Sequence, residues 1–326
     1  MRAVQVHEPG GPAALQVAEV DDPRAGADQV VVAVETAGVN FIDTYHRSGA
    51  YPLELPATLG LEAVGTVTAV GGDVAHVAVG DRVGFLDQRG AYAEQVAVDA
   101  ARTVPVPDGL DGDVACALLL QGTTAHYLAT STATLGSDDA VLVYAASGGV
   151  GRLLVQLAVR RGARVLAATS TATKADDARA LGADDVIRYR DGDEVVDVAA
   201  AVRERTDGRG VDVVYDSVGA TTFDHSLRSL RPRGLLALYG QSSGPVRPLD
   251  LQELNRHGSL YVTRPSLFAY VADRDELTAR TDELFASAVA GDLDVRIGGR
   301  YPLAEAARAH ADLEAGGTSG KLVLHP

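Results

Sequence analysis

Cysteine, lysine, tryptophan and long apolar runs are all scarce in this chain, and each shortage narrows what it does. The one cysteine, Cys116, excludes an internal disulfide framework and any multi-cysteine zinc site. Its apolar setting, Val114-Ala115-Cys116-Ala117-Leu118, reads as a buried helix position rather than a reactive thiol. Tryptophan is absent and aromatics make up 5%, so Ala, Val and Leu must fill the core, as suits parallel sheets flanked by helices. No uncharged apolar stretch reaches the roughly 18 residues that a membrane span needs. The opening residues alternate like a strand and lack the apolar run of a secretory leader, so a cytoplasmic location is expected. Lysine occurs only at Lys174 and Lys321; the remaining cations are arginines.

The balance of what remains is that of a packed globular protein, with 46% hydrophobic and 22% charged residues. A length of 326 residues suits two domains. The formal charge of −15 repels nucleic-acid phosphates and anionic membranes, so neither is an expected partner. An anionic cofactor would need a local basic pocket, and that makes the placement of each cation informative.

Short β signals separated by glycine and proline dominate the first third. Strands are expected at 30–35 and 62–70, the latter closed by the Gly71-Gly72-Asp73 turn, with further β signals at 80–84 and 91–96. This reads as a mostly antiparallel β domain. From about residue 122 apolar runs alternate with amphipathic stretches. Strands are expected at 141–144, 164–169, 185–189, 211–217, 234–239 and 259–263, and helices at 150–160, 173–181, 195–205 and 221–230. That alternation implies a doubly wound parallel sheet. The acidic run 191–194 reads as a solvated loop before a helix. A helix at 275–290 and a strand at 321–324 then return to complete the first domain. The expected division is a catalytic domain of residues 1–122 and 265–326 around a nucleotide domain of residues 123–264.

The most specific local feature is Ala145-Ala146-Ser147-Gly148-Gly149-Val150-Gly151, between an apolar strand and a helix. In dinucleotide-binding turns one glycine permits the bend, a second lets the backbone approach the pyrophosphate, and a third lets helix and strand pack closely. Gly148 and Gly151 hold the second and third places and Ala146 the first. The next strand ends in Ala168-Thr169-Ser170-Thr171, where NAD-selective proteins carry an acid for the ribose 2′-hydroxyl. Here no acid follows until Asp176, and Lys174 comes first. Hydroxyls plus a cation suit a 2′-phosphate, so NADPH is favoured. Tyr189, at the end of the third strand, would pack against the adenine or touch the same phosphate.

The stretch Asn40-Phe41-Ile42-Asp43-Thr44-Tyr45-His46-Arg47-Ser48-Gly49-Ala50-Tyr51-Pro52 resembles the N-domain signature of zinc-free quinone oxidoreductases. These are the zeta-crystallin-like members of the medium-chain dehydrogenase/reductase superfamily. The resemblance continues through Leu59–Gly65, Gly80–Val83, Ala145–Gly151, Tyr215–Gly219, Gly240–Gly244 and Ser259–Ser266, nearly the whole chain. It implies an α/β protein with a GroES-like, mostly antiparallel β catalytic domain and a Rossmann, doubly wound parallel-sheet domain. It also implies a homodimer, for which the edge-like 259–263 strand is a plausible pairing element. Among NADPH contacts, Asn40 and Thr124 would lie near the nicotinamide and Ser217 on the cofactor's path. Tyr239, Gly240, Gln241 and Ser242 would form the next loop, and Arg264 and Phe268 would close the cleft. Gln241 stands where the family pattern has asparagine.

Zinc-dependent relatives use a Gly-His-Glu histidine and cysteine ligands. Here the corresponding residues are Gly60-Leu61-Glu62, and residues 85–105 contain no cysteine, so no metal is expected. Carbonyl polarisation must then come from hydrogen-bond donors. Tyr45 and Tyr51 are candidates, with Asn40 and Asp43 nearby. For Asp43 a turn-capping role is equally open. His46 reads as a surface residue. The expected reaction is transfer of a hydride, or of electrons stepwise, from NADPH to small quinones. The alternatives are an NADPH-dependent reductase of α,β-unsaturated aldehydes or ketones, and a catalytically silent NADPH-binding protein. The negative charge argues against a role in RNA binding.

Overall fold

The computed structural model describes residues 1–191 and 194–326. Part of the acidic run 191–194 therefore lies outside the described residues. The chain forms two compact units, Met1–Thr123 with Val271–Pro326, and Thr124–Tyr270.

The first unit opens with β1 (Arg2–Val6), β2 (Leu15–Glu19) and the long β3 (Gln29–Val39), then the helix α1 (Phe41–Ser48). Short β4 (Ala57–Thr58) precedes β5 (Glu62–Val70), β6 (Arg82–Leu86), β7 (Gln95–Asp99) and β8 (Thr103–Pro105). Helix α2 (Gly112–Ala117) follows, with Asp111 accepting from the amides of Asp113 and Val114 at its start. Cys116 is buried in α2, as the apolar setting implied, and burial pushes its thiol well up. A π-helical turn at Leu118–Gly122 then leads to α3 (Thr123–Tyr127), and a second occupies Leu128–Thr132.

The second unit carries β9 (Ala140–Tyr144), α4 (Gly149–Arg160), β10 (Arg164–Thr169), α5 (Ala172–Ala180) and β11 (Asp185–Arg188). After the small ribbon of β12 (Arg190–Asp191) and β13 (Glu194–Val195) come α6 (Val198–Arg205), β14 (Val211–Asp216), α7 (Phe223–Ser229) and β15 (Leu230–Leu238). Helix α8 (Leu251–Arg256), β16 (Tyr261–Thr263) and α9 (Leu267–Tyr270) complete it. The chain returns to the first unit with α10 (Arg274–Val289), β17 (Ile297–Pro302), α11 (Ala306–Glu314) and β18 (Lys321–His325).

The six expected strands of the second unit all pair in parallel, in the order β11-β10-β9-β14-β15-β16. Chain order reverses between β9 and β14, the switch point at which doubly wound sheets bind ligands. All of β9 and β14 is buried, as expected of central parallel strands covered on both faces. In the first unit the main sheet runs β17-β18-β3-β5-β6-β8, with β7 also on β3, and β2-β1-β4 forms a smaller sheet. Pairing is antiparallel except between β17 and β18. A core of Val30, Val32, Val67, Phe85, Tyr92, Leu322 and Leu324 fills this unit.

Five helices escape the sequence reading: α1, α3, α8, α9 and α11. Helix α1 lies inside the signature stretch; Asn40 is its N-cap and Gly49, at φ 81°, its C-cap. Helices α3, α8 and α9 are only four to six residues long, and α11 buries a stripe of small residues, Ala306 and Ala309, with His310. Helix α6 begins at Val198, three residues later than expected, because Asp197 caps it by accepting from the Ala200 amide.

Candidate functional site

The glycine turn is built as the spacing implied. Ala145 takes φ 49°, and its carbonyl accepts from the Gly148 amide at 2.8 Å, turning the chain from β9 into α4. A Cβ on Gly151 would overlap the Ala145 carbonyl, so helix and strand approach this closely only over glycine. Gly148 caps α4, with Gly149, Val150 and Gly151 in its first turn, where free amides and the helix dipole favour an anion. Ser147 is buried beside them.

At the end of β10, three of the residues read as a 2′-phosphate corner, Thr169, Ser170 and Tyr189, come together. The Tyr189 amide donates to the Thr169 carbonyl at 2.9 Å, and the Tyr189 hydroxyl shares a hydrogen bond with Ser170. Thr169 is buried, and its hydroxyl has no hydrogen-bond partner among the described residues. A buried hydroxyl in this state has a hydrogen bond to offer a bound molecule. Lys174 lies in the first turn of α5, its amide held by Thr171 Oγ1 at 3.3 Å. Its ammonium is half-buried, which pulls its pKa down against the attraction of Asp177. Asp176 is turned to Arg179 at 2.7 Å.

The third cluster forms where β14 and β15 end. Amides of Tyr239 and Gly240 donate to the Asp216 carbonyl, and the Ser242 amide donates to Ser217. A Cβ on Gly240 would press on the Ser217 backbone. The Tyr239 phenol, pushed up by burial, lies beside Ser217. Gln241 is half-buried in the same loop. Beneath it the buried Asp216 carboxylate accepts from the amides of Val218 and Gly219 and from the hydroxyls of Thr222 and Ser226. Burial raises its pKa, and those donors pull it back. Asp216 was missed as a loop organiser; an acid closing an apolar strand was the available signal. Arg264 stands exposed just past β16 and Phe268 is half-buried in α9, with no hydrogen bond to these loops among the described residues. Thr124 is buried in α3.

In the first unit Asn40 and Asp43 flank the start of α1. Asn40 Nδ2 donates to Glu62 at 2.7 Å, and its Oδ1 accepts from Lys321 at 2.8 Å and from Gln121 at 3.2 Å. Glu62 and Lys321 form a fully buried ion pair, and the other Glu62 oxygen accepts from the Leu120 amide in the π-helical turn at 2.6 Å. Neither Glu62 nor Lys321 was read as part of a site, although the rarity of lysine was a hint.

Asp43 is wholly buried. Its Oδ2 accepts from the Asn40 amide at 2.8 Å and the Tyr92 hydroxyl at 3.1 Å, while Oδ1 has no partner among the described residues. The capping role left open in the sequence is therefore seen, in a buried network. Burial pushes Asp43 up to about 7, opposed by the Asn40 amide, Lys321 and Tyr92. Tyr92 also meets His310 Nε2 at 3.0 Å, and His310 Nδ1 faces Arg47 at 3.2 Å. Arginine only donates, so Nδ1 must accept and Nε2–H donates to Tyr92. Arg47 closes the chain on Glu314 at 2.6 Å. Tyr45 and Tyr51 are brought together by a backbone bond of 3.0 Å and an edge-on ring contact of 5.2 Å. His46 is half-buried, its ring 6.0 Å from Tyr51, rather than fully at the surface.

Among the described residues no group of three or more His, Cys, Asp or Glu side chains is placed to hold a metal ion, and no helix is long and apolar enough to cross a membrane.

Residues 26–108 match the alcohol dehydrogenase GroES-like domain, and residues 149–274 the zinc-binding dehydrogenase family. The chain is 42% identical to a quinone oxidoreductase of Pseudomonas aeruginosa, covering 100% of this chain and 99% of that one. It is 41% identical to a 2-haloacrylate reductase of a Burkholderia species, over 99% and 98% of the two chains. The Escherichia coli quinone oxidoreductase solved in complex with NADPH superposes with a TM-score of 0.96 at 40% identity, covering 100% of both chains. Two units of the expected architecture, a glycine turn at the switch point and full-length similarity of this degree agree: the chain belongs to the quinone oxidoreductase group of the medium-chain dehydrogenase/reductase superfamily.

Proposed function

We propose that the chain is an NADPH:quinone oxidoreductase that needs no zinc, since Leu61 stands where zinc-dependent relatives carry a histidine. The observation that carries the choice of cofactor is the corner at the end of β10. A buried Thr169 hydroxyl with no partner among the described residues and the Ser170–Tyr189 pair close the end of β10, and the half-buried Lys174 follows in the first turn of α5, where Asp177 is the carboxylate that acts on it. Gly148–Gly151 and the first turn of α4 fit a pyrophosphate, because a side chain at Gly151 would fill the space. Ser217, Tyr239, Gly240, Gln241 and Ser242 would hold the middle of the cofactor, with Thr124, Arg264 and Phe268 as further contacts.

NADPH, when bound, supplies the hydride. The chain's own residues orient it and supply donors to the acceptor. Asn40, Tyr45 and Tyr51 are the acceptor-side residues in this reading, donating to an oxygen as negative charge develops there. Quinones are readily reduced, so positioning supplies much of the rate enhancement.

The parent protein is expected to reduce 1,4-benzoquinone and 9,10-phenanthrenequinone with NADPH in preference to NADH. Lys174→Ala should weaken NADPH binding about 10- to 100-fold, the worth of a charge-assisted phosphate contact, and leave NADH nearly unchanged. Stopped-flow traces with both nucleotides check this. Calorimetry showing no uptake of either one would end the reading. Similarity to a 2-haloacrylate reductase favours a second acceptor class, activated alkenes; product analysis with 2-hexenal separates the two.

A homodimer is part of the proposal. Strand β16 ends the sheet with no strand on its outer side among the described residues, and 63% of Tyr261 is exposed, which supports pairing of two copies. Light scattering should give twice the chain mass of 33.8 kDa, and a monomer at micromolar concentration would refute it.

A further inference from the structure

Asn40 is built into the first unit with an unusual completeness. A carboxamide has two acceptor lone pairs and two N–H donors. Both lone pairs of Oδ1 are used, by Lys321 Nζ and Gln121 Nε2, and one Nδ2–H is used by Glu62. The second Nδ2–H has no acceptor among the described residues. The two charged neighbours also fix which end of the amide is which. Glu62 is a carboxylate that only accepts, and Lys321 an ammonium that only donates, so a flipped amide would set oxygen against oxygen and N–H against N–H.

The ion pair itself needs a special place. Glu62 comes from β5 and Lys321 from the start of β18, and both strands flank β3. At Gly38 in β3 a Cβ would overlap the Glu62 carboxylate and the Lys321 ammonium. Glycine at this strand position, with an ordinary backbone conformation, leaves room for the two charged heads. Glu62 further holds the π-helical turn through the Leu120 amide, and that turn carries Gln121. One carboxylate thus ties the N-cap of α1, β18 and the turn bearing Gln121 to a single point.

We propose that Lys321, Glu62 and Gly38 form a positioning device that locks the Asn40 carboxamide with one N–H free, making Asn40 a dedicated hydrogen-bond donor to a ligand carbonyl oxygen. The proposal deepens the reading of Asn40 as an acceptor-side residue and rests on it for its function. The carbonyl belongs either to the quinone or to the cofactor's carboxamide. Lys321 and Glu62 act through Asn40.

The test uses the full-length protein and four variants: Lys321→Met, Lys321→Arg, Gly38→Ala and Asn40→Asp. Gly38→Ala removes no polar group, yet it must displace the ion pair. In the ligand-free parent, the Asn40 side-chain NH2 should give two well-separated proton resonances, one slow and one fast to exchange with solvent. Both features should collapse in Lys321→Met and Gly38→Ala and recover at least in part in Lys321→Arg, which keeps a donor-only cation. With 1,4-benzoquinone, kcat should fall about 10- to 100-fold in Lys321→Met, Gly38→Ala and Asn40→Asp, as for a lost or loosened donor, with partial rescue in Lys321→Arg. A change in the NADPH dissociation constant of similar size assigns the carbonyl to the cofactor; an unchanged one assigns it to the quinone. If Lys321→Met fails to fold, Gly38→Ala and Lys321→Arg still decide. Asn40 resonances and kcat within twofold of the parent in Gly38→Ala would overturn the proposal. A parent with the expected resonances but no quinone turnover would refute the activity and leave the positioning device standing.

Discussion

In Asp43→Asn, folding stability is expected to climb by about 3–4 kcal/mol, relative to the parent, as pH rises from 3.8 to 6.5. In His310→Gln it is expected to decline by a similar amount over the same range. The two groups belong to one chain, Asp43–Tyr92–His310–Arg47–Glu314, buried as far as Arg47 and ending on the exposed Glu314, and they titrate in opposite senses. Burial pushes Asp43 up to about 7 from 3.8, so across this window the folded protein holds a proton that the unfolded chain has lost. Its contribution is full below pH 3.8 and is lost as pH rises toward 7. Burial, helped by Arg47, pulls His310 down to about 3 from 6.5, so the folded protein refuses a proton that the unfolded chain takes up. Its contribution is full above pH 6.5 and is lost as pH falls toward 3.

Each group alone gives a slope of about 1.4 kcal/mol per pH unit, and in the parent the two slopes cancel. Folding exchanges a separated carboxylate and imidazolium for a neutral acid and a neutral imidazole. Removing either partner exposes the slope of the other. The substitutions keep the geometry: glutamine at 310 accepts from Arg47 through its oxygen and donates to Tyr92 through its amide, and asparagine at 43 still accepts from Tyr92 and Asn40. Denaturant unfolding at a series of pH values reads the difference. Stability profiles of both variants running parallel to the parent's would show that these groups keep ordinary proton affinities.

Asp216→Ala should cost about 3–5 kcal/mol and abolish measurable nucleotide binding. Two amides and two hydroxyls lose their acceptor in a place that water does not reach, and each buried unsatisfied donor costs about 1–3 kcal/mol. The loop from Ser217 to Thr222 loses its anchor, and with it the register of Ser217 against Gly240 and Ser242. Asp216→Asn should be far milder, because its oxygen can still accept from the amides while the serine and threonine hydroxyls rotate to accept from its NH2. Calorimetric melting and NADPH titration of the two variants separate them. Equal loss in both would mean that the charge, rather than the hydrogen bonds, organises the loop.

By itself the sequence determined the elements whose information is local. The apolar runs at β9, β10 and β14 and the helices between them repeat on a period that admits a parallel sheet and little else. Gly148 and Gly151 announce the turn because a chain bent that tightly against a helix tolerates no side chain there. Ser170, Lys174 and Tyr189 were legible for the same reason, being spaced along consecutive βα units of a known geometry. The other half of the candidate site was decided only by tertiary structure. Asn40, Glu62 and Lys321 are 22 to 281 residues apart and meet because β18 joins the edge of β3 opposite β5 in one register. His310 and Arg47, 263 residues apart, meet because α11 carries one of them to the end of α1. No local pattern encodes such meetings. A buried lysine, a buried acid and a neutral imidazole look like ordinary surface polar residues until burial removes the water that would have solvated them, and that is a property of the packed chain alone.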